Sequence, residues 1–204
     1  MRPLFSRQQA AELAAVNLFS DRAEVGHIRR NGSERPVVDV CAQFPNASDP
    51  VETLQRLRRE FHLARFRCST VLPARQYQLQ LVDAPNVPEA EMKSAVRWRL
   101  KDFLEYPVET ATVDVVPVPA DQAAAGRGRS VYAVSARNQD IESRMKIFAQ
   151  AKISLRVIEI PEMAQRNLAT LFETDQRAVA MLSFSEEGGL LTFTARGELY
   201  LSRR

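Results

Sequence analysis

The chain has 204 residues, of which 45% are hydrophobic and 26% charged, and its formal net charge is +3. This composition suits one or two globular domains with a normal core, and so small a net charge argues against a nucleic-acid-binding protein. The two cysteines, Cys41 and Cys68, and the two histidines, His27 and His62, are isolated, which argues against a disulfide framework and a clustered metal site.

The amino-terminal part predicts a three-stranded antiparallel meander. It has no apolar run of signal-peptide or membrane-spanning length, so we expect a cytoplasmic protein. Strands are predicted over 13–18, 23–30 and 37–44, with a tight turn at Asn31-Gly32 because both residue types tolerate positive φ.

A helix and a strand follow the meander. Asp49, Pro50 and Glu52 form a helix-start signal, and the stretch from Arg67 to Leu72 predicts a strand. The one local basic cluster runs from this helix to the start of the strand and contains Arg56, Arg58, Arg59, Arg65 and Arg67. A solvated helix face is the expected explanation, and a surface for a polyanion or anionic lipid is the alternative.

The stretch 83–107 predicts a strong amphipathic helix after a strand at 77–82. Asn86 is its expected N-cap and Pro107 its stop signal. The predicted buried stripe contains Met92, Ala95, Val96, Leu100, Phe103 and Leu104. Trp98 falls on the opposite, charged side. We expect it to pack against a neighbouring element, and exposure to a partner is the alternative.

Strands at 112–118 and 130–136, a helix from Asn138 and a strand at 155–160 complete a central β-α-β-β-α-β block, with a loop over 119–129. Ile141, Met145 and Phe148 are the expected inner residues of its second helix.

Pro161 opens a last helix, whose expected inner residues are Ala164, Leu168, Leu171 and Phe172. Strands are predicted at 178–184, 190–195 and 199–202, with turns at Gly188-Gly189 and at Arg196-Gly197-Glu198. No predicted helix covers these strands. We therefore expect either a shortened form of a larger design or addition of the strands to the first sheet.

No catalytic motif is present. The chain has no GxGxxG, Walker, HExxH or GxSxG pattern. The paired acids Glu89/Glu91 and Glu186/Glu187 lie where a helix start and a hairpin turn favour polar residues.

Three stretches resemble the PilM/MshI family, the actin-like cytoplasmic proteins of type IV pilus assembly, which are related to the GspL cytoplasmic domain of type II secretion. They are the run from Asp83-Ala84-Pro85 through Ala95-Val96-Arg97-Trp98 to Tyr106-Pro107-Val108-Glu109, the strand Val131–Arg137, and the pair Ala149–Ile153 and Val157–Pro161.

The resemblance implies an α/β (α+β) fold in which an actin-like, ribonuclease H-like subdomain carries a small inserted α+β subdomain. The first would comprise residues 1–72 and 161–175, and the insertion residues 73–160. Residues 176–204 would begin a truncated second actin-like half.

The departures from the family predict a chain with no nucleotide cofactor. Nucleotide-binding relatives carry an Asp-x-Gly phosphate motif in each half. The equivalent stretch Val16–Ser20 has Asn17 and Phe19 instead, and Leu182–Glu187 also lacks the motif. Lys152 stands where the family has a glycine after the helix.

The resemblance therefore implies a non-catalytic assembly protein at an inner-membrane pilus or secretion platform. Its partner would be the cytoplasmic tail of a PilN/MshJ-like bitopic protein, held in a groove between two subdomains. Arg97, Trp98, Lys101 and Tyr106 are the candidate partner-binding residues. An assembly ATPase and a second copy of the chain are further candidate partners, and membrane association is expected through partners. The alternatives are a degenerate actin-like ATPase with weak nucleotide binding and a basic nucleic-acid-binding module, which lacks interleaved aromatic residues.

Overall fold

The computed structural model describes residues 13–29, 35–119, 129–174 and 177–204, which fold as two compact units. The first unit falls within Met1–Val71 and Ser143–Glu159, and the second within Leu72–Glu142 and Ile160–Arg204. The predicted subdomain boundaries follow a different division and stay a prediction. The predicted Asn31-Gly32 turn and most of the predicted 119–129 loop lie outside the described residues.

The described part of the chain contains both strands and helices and has a mixed five-stranded sheet, which confirms the predicted α/β fold class. In chain order they are β1 (Leu13–Leu18), β2 (Arg22–Arg29), β3 (Val37–Pro45), α1 (Pro50–Glu60), β4 (Arg67–Val71), β5 (Tyr77–Asp83), α2 (Glu89–Arg99), β6 (Ala111–Pro117), β7 (Ser130–Arg137), α3 (Asn138–Gln150), β8 (Leu155–Glu159), α4 (Pro161–Ala169), β9 (Val179–Ser185), β10 (Gly188–Ala195) and β11 (Glu198–Arg203). Short 3-10 turns lie at Leu63–Arg65, Ala74–Gln76, Leu100–Asp102 and Val108–Thr110.

The first unit is built on a five-stranded mixed sheet with the order β3-β2-β1-β4-β8. The first three strands pair antiparallel, which confirms the predicted meander. β4 runs parallel to β1, and β8 runs parallel to β4. The sequence pattern places the strand at 155–160 in the central block, whereas the structure pairs it with β4 in this first sheet.

Helix α1 begins where the sequence predicts and covers one face of that sheet. Oδ1 of Asp49 accepts a hydrogen bond from the Val51 amide at 2.9 Å, and Pro50 occupies the first turn. Leu54 and Leu57 are fully buried beneath the helix. The buried core of the unit consists of Ala14, Val16, Leu18, Ala23, Val25, Leu54, Leu57, Leu63, Cys68, Phe148, Ala151 and Ile153.

The second sheet is antiparallel, with the order β5-β7-β6. Helix α2 packs on one of its faces. The buried residues of this contact are Val96, Leu100, Ala111, Val113, Val131 and Ala133.

Helix α2 is shorter than predicted, and its predicted cap is wrong. It spans Glu89–Arg99, and Pro88 rather than Asn86 precedes its first turn. A proline disfavours helical dihedrals in the residue before it, so Val87 cannot extend the helix back to Asn86. The carboxyl end tightens into the 3-10 turn Leu100–Asp102.

In α3 the buried face contains an arginine where the sequence pattern predicts a methionine. Arg144 and Phe148 are buried, whereas Met145 is exposed. Nη1 of Arg144 donates a hydrogen bond to the Leu18 carbonyl at 3.4 Å, which gives the buried cation a partner.

In α4 the predicted inner stripe is wrong at Leu168 and Phe172, and its other two members, Ala164 and Leu171, are partly buried. The buried residues are Glu162, Met163, Gln165 and Ala169, whereas Leu168 and Phe172 are exposed. Apolar periodicity cannot detect a helix face that is buried through satisfied hydrogen bonds.

The last three strands form a separate antiparallel sheet, with the order β11-β10-β9, and α4 packs against it. Of the two alternatives, addition of these strands to the first sheet is therefore wrong, and a helix does cover them. The glycine pair 188–189 begins β10, and the turn falls on the preceding pair 186–187. Gly188 has a φ of +107°, which a glycine adopts without steric cost.

None of the helices in the described ranges is both long and apolar enough to cross a bilayer.

Helix α3 ends in a Schellman motif with a lysine at the left-handed position. The Ile153 amide donates to the Phe148 carbonyl at 3.0 Å, and the Lys152 amide donates to the Ala149 carbonyl at 2.9 Å. Lys152 has a φ of +57°. This is a conformation that glycine adopts readily, in line with the glycine that the family resemblance places there.

We expect Lys152→Gly to raise the free energy of unfolding by about 0.5–1 kcal/mol, because relief of left-handed strain exceeds the larger entropy loss of glycine. Lys146 is exposed in the interior of the same helix, and Lys146→Gly is the control, with an expected loss of about 1 kcal/mol. Urea unfolding followed by circular dichroism measures both values. A Lys152→Gly variant less stable than the wild type would contradict this account.

Candidate functional site

Trp98 and Lys101 lie on the open side of α2 and of the turn that follows it. The Trp98 side chain is 64% exposed, so the expectation that it packs against a neighbouring element is wrong. Phe103, predicted to be in the buried stripe, is 61% exposed because the helix has already ended and the 3-10 turn changes its direction. Two large aromatic side chains and a cation therefore face solvent within one short segment.

Arg97 fixes the chain where this segment leads into β6. Its Nε and Nη2 donate to the Val108 carbonyl at 3.1 and 2.8 Å, and Nη2 also donates to the Glu109 carbonyl at 2.9 Å. Both carbonyls belong to the 3-10 turn before β6, so Arg97 ties α2 to the start of that strand. A contact between Arg97 and a partner stays a prediction.

Tyr106 is half-buried at the exit of the same segment. The Arg137 guanidinium lies 4.3 Å from the centre of its ring, a cation–π contact. Its ring also packs against the buried residues between α2 and the second sheet. The structure thus holds Arg97 and Tyr106 by intramolecular contacts, and it leaves Trp98 and Lys101 on an open surface.

A buried polar cluster in the second unit was not found from the sequence. Glu162, in the first turn of α4, is 2% exposed. Its Oε2 accepts a hydrogen bond from the Tyr77 hydroxyl at 2.6 Å, and its Oε1 accepts one from Nε of Arg204 at 3.0 Å. Nη2 of Arg204 also donates to the Tyr77 hydroxyl. The cluster joins the starts of α4 and β5 to the residue after β11.

Gln165 extends this polar contact one turn along α4. Its Nε2 donates to the Met181 carbonyl at 2.6 Å and to Oγ1 of Thr192 at 3.0 Å, and its Oε1 accepts from the Ser183 hydroxyl at 2.7 Å. Helix α4 is thereby attached to β9 and β10. The sequence signal for this face is the spacing of Glu162, Gln165 and Ala169, which lie three and four residues apart.

The electrostatics of the cluster describe a satisfied ion pair. Burial, followed by the hydrogen bond and charge of Glu162, raises the pKa of the Tyr77 hydroxyl above its ordinary value of 10.0. Burial alone would lower the pKa of Arg204, but its pairing with Glu162 raises it overall. Each Glu162 oxygen already accepts a hydrogen bond, so the carboxylate is not poised as a general base.

A cavity of about 230 Å³ opens beside the cluster. Its lining residues are Ala74, Tyr77, Leu79, Leu81, Tyr132, Glu162, Ser202, Arg203 and Arg204. Tyr132, on β7, donates its hydroxyl to the Tyr200 carbonyl at 3.3 Å, which also links the two sheets of the unit.

The β1–β2 turn, where the family resemblance places a phosphate motif, is closed by its own groups. The Phe19 amide donates to the Arg22 carbonyl at 2.8 Å, so this amide is already engaged. The Arg22 guanidinium lies 4.4 Å from the Phe19 ring centre. Oδ1 of Asn17 accepts from the Val71 amide at 3.0 Å. A phosphate site needs unengaged amides, and these groups serve the fold instead.

The polar groups of the β9–β10 turn also form hydrogen bonds within the fold. The Glu187 carboxylate accepts from the Ala74 amide at 3.0 and 3.2 Å, and the Glu187 amide donates to Oγ of Ser185 at 3.2 Å. Within the described ranges no three acidic, thiol or imidazole groups come together as a metal site.

No family profile and no curated protein sequence matches the chain. Among solved structures it is similar to a chain of the PilM-PilN type IV pilus biogenesis complex, with a TM-score of 0.76 and 18% identity over 94% of this chain and 60% of that one. It is also similar to the cytoplasmic domain of EpsL, an inner membrane component of the type II secretion system of Vibrio cholerae, with a TM-score of 0.60 and 14% identity over 90% of this chain and 68% of that one.

These likenesses show a shared fold, and they fall on the pilus and secretion proteins that the family resemblance names. The chain spans 60% of the length of the chain it matches in the PilM-PilN complex.

We expect Tyr77→Phe to destabilise the protein at pH 7 by about 1–2 kcal/mol, because buried Glu162 loses a donor. The raised pKa means that the Tyr77 contribution is present below pH 10 and is lost as the pH rises further. The difference between wild type and variant should therefore shrink above pH 10. Urea unfolding at pH 7 and at pH 11 measures it.

Tyr106→Phe keeps its stacked ring and serves as the control at pH 7, where we expect a change below about 0.5 kcal/mol. A Tyr77→Phe variant as stable as wild type at pH 7 would show that the hydroxyl does not hold the cluster.

Proposed function

We propose that the chain is a non-catalytic assembly protein of a type IV pilus or type II secretion platform at the inner membrane. Its function would be to bind the short cytoplasmic tail of a bitopic membrane protein of the PilN/MshJ kind. The observation that carries the proposal is the likeness to the PilM-PilN complex over 94% of this chain. A cytoplasmic location next to the inner membrane belongs to the same proposal.

The surface around Trp98 supports this function by its chemistry. A solvent-exposed tryptophan is uncommon in a folded domain, and tryptophan is enriched among the residues that dominate binding energies. Phe103 and Lys101 lie beside it in the chain and are also exposed. Such a surface suits an extended peptide with an apolar side chain next to an acidic one.

The non-catalytic part of the proposal is supported by the two hairpin turns. At the first, Phe19 is stacked with Arg22 and its amide is engaged. At the second, Glu187 caps the 3-10 turn at Ala74–Gln76, and a carboxylate beside a triphosphate would repel it.

Trp98 provides a direct measurement of tail binding, because it is the sole tryptophan in the sequence. We expect a synthetic tail peptide of the PilN-like partner to shift the Trp98 emission to shorter wavelength as the indole is desolvated. By fluorescence anisotropy with a labelled peptide, Trp98→Ala should weaken binding by about 30-fold, a loss typical of an aromatic hot spot.

Phe172→Ala is the matched control, since Phe172 is an aromatic residue of similar exposure in the same unit. Binding that is unchanged in both Trp98→Ala and Tyr106→Ala would remove this surface from the site. A wild-type chain that binds no tail peptide would overturn the proposed function itself.

Nucleotide binding tests the non-catalytic assignment separately. We expect isothermal titration with ATP and magnesium to show no binding at micromolar affinity. A micromolar dissociation constant would contradict the assignment and would favour the degenerate ATPase.

A further inference from the structure

The first unit collects basic side chains at one end of its sheet, which we call the arginine-rich end. Its basic members are Arg29, Arg58, Arg59, Arg65, Arg67, Lys152 and Arg156. The backbone brings them together. The Cys68 amide donates to the Ser154 carbonyl at 2.8 Å, so β4 and β8 begin side by side. Nε of Arg58 donates to the Lys152 carbonyl at 3.0 Å, so the carboxyl ends of α1 and α3 meet there.

The charge at this end is strongly one-sided. Arg35, two residues before β3, adds to the basic side chains named above, and the carboxylates described at this end are those of Glu60 and Asp39. The Asp39 carboxylate lies 3.4 Å from Arg29 and 3.5 Å from Nδ1 of His27. Arg59, Arg65 and Arg67 are exposed. The arginine-rich end therefore carries an excess of positive charge on a chain whose net charge is only +3.

Exposed aliphatic side chains continue the same end across β1, β2 and β3. Leu13 pairs with Arg67 across the sheet, and Ile28 pairs with Val38. Leu13, Ile28 and Val38 are 52%, 42% and 61% exposed, and Val37 beside them is exposed as well. A basic region next to a group of open aliphatic side chains is thus formed by the ends of all five strands.

Helix electrostatics explain part of this arrangement. Cations near the carboxyl end of a helix are stabilised by its dipole, which accounts for Arg58, Arg59 and Lys152. The dipole does not account for Arg67 or Arg156, which lie in strands, and Arg65 lies in a single 3-10 turn, whose dipole is small. It gives no reason for exposed aliphatic residues beside them.

We propose that the arginine-rich end binds the surface of an anionic phospholipid bilayer. The basic side chains would lie at the headgroup phosphates, and Leu13, Ile28, Val37 and Val38 would enter the boundary between headgroups and acyl chains. Each arginine near an anionic membrane surface strengthens binding by about fivefold at physiological salt. Aliphatic side chains favour a bilayer over a nucleic acid, because a bilayer removes them from water and a phosphodiester backbone does not.

This contact is separate from tail binding, which is proposed for the second unit. The protein would then contact the membrane lipids directly, in addition to its expected association with the membrane through partner proteins. A protein held to the bilayer by both would gain from effective concentration, since each contact keeps the other near its ligand.

Vesicle sedimentation with the full chain tests the proposal. We expect binding to vesicles of phosphatidylglycerol and phosphatidylethanolamine, loss of binding as salt rises, and no binding to pure phosphatidylcholine. The triple variant Arg59→Gln, Arg65→Gln, Arg67→Gln should bind anionic vesicles about a hundredfold more weakly. The control variant Arg75→Gln, Arg129→Gln, Arg177→Gln makes the same charge change in the second unit and should retain the affinity.

A second variant separates lipid from other polyanions. Val37→Ser with Val38→Ser should weaken binding to anionic vesicles severalfold and should leave any binding to duplex DNA unchanged. Circular dichroism checks that each variant is folded.

Three results would overturn the proposal. The first is equal binding of the wild type to anionic and neutral vesicles. The second is an equal loss of vesicle affinity in the two triple variants. The third is loss of DNA binding in the first triple variant while the valine changes leave vesicle binding intact. The last result would identify a general polyanion surface.

Discussion

A buried carboxylate has to be paired where it lies, and that requirement organises the second unit. Glu162 is almost fully enclosed, so it is tolerable only with donors on its oxygens. Tyr77 supplies one donor from the start of β5, and Arg204 supplies another from beyond the end of β11. One turn later Gln165 attaches the same helix to the neighbouring strands. Moving α4 would therefore break both sets of hydrogen bonds at once.

The sequence predicted the elements well because hydrophobic alternation and helix-start signals are local. The meander β1–β3, the start of α1 at Asp49 and the start of α4 at Pro161 all follow from neighbouring residues. It predicted the inner faces of α3 and α4 poorly. There Arg144 and Gln165 are buried because their polar atoms meet carbonyls from distant parts of the chain. Long-range partners of this kind leave no local periodic signal.

The candidate site shows the same limit. The pattern around Trp98 indicated a helix with a polar side and an aromatic residue on it, which the structure has. It did not show that the helix ends at Arg99, and so it placed Phe103 inside. It also could not show that Arg97 holds the turn before β6. Binding at the open aromatic surface depends on residues of a partner, so the sequence of this chain carries no local signal for it.

Both turns that would matter for a phosphate ligand are occupied by contacts of the fold itself. At the first turn Phe19 and Asn17 are engaged, and at the second Glu187 is engaged. The second unit thus has an exposed aromatic surface, and the first unit has an exposed surface of basic and aliphatic side chains. This distribution is compatible with the assembly function proposed above.

The parallel pairing of β4 with β8 has a consequence for synthesis of the protein. β4 ends at Val71, and β8 begins only at Leu155. During translation the ribosome must therefore add the whole intervening stretch before β8 can pair with β4. Until then one edge of β4 is unpaired, and unpaired strand edges favour aggregation. Formation of this sheet is correspondingly non-local and slow, and a nascent chain interrupted within that stretch would be a natural client for a chaperone.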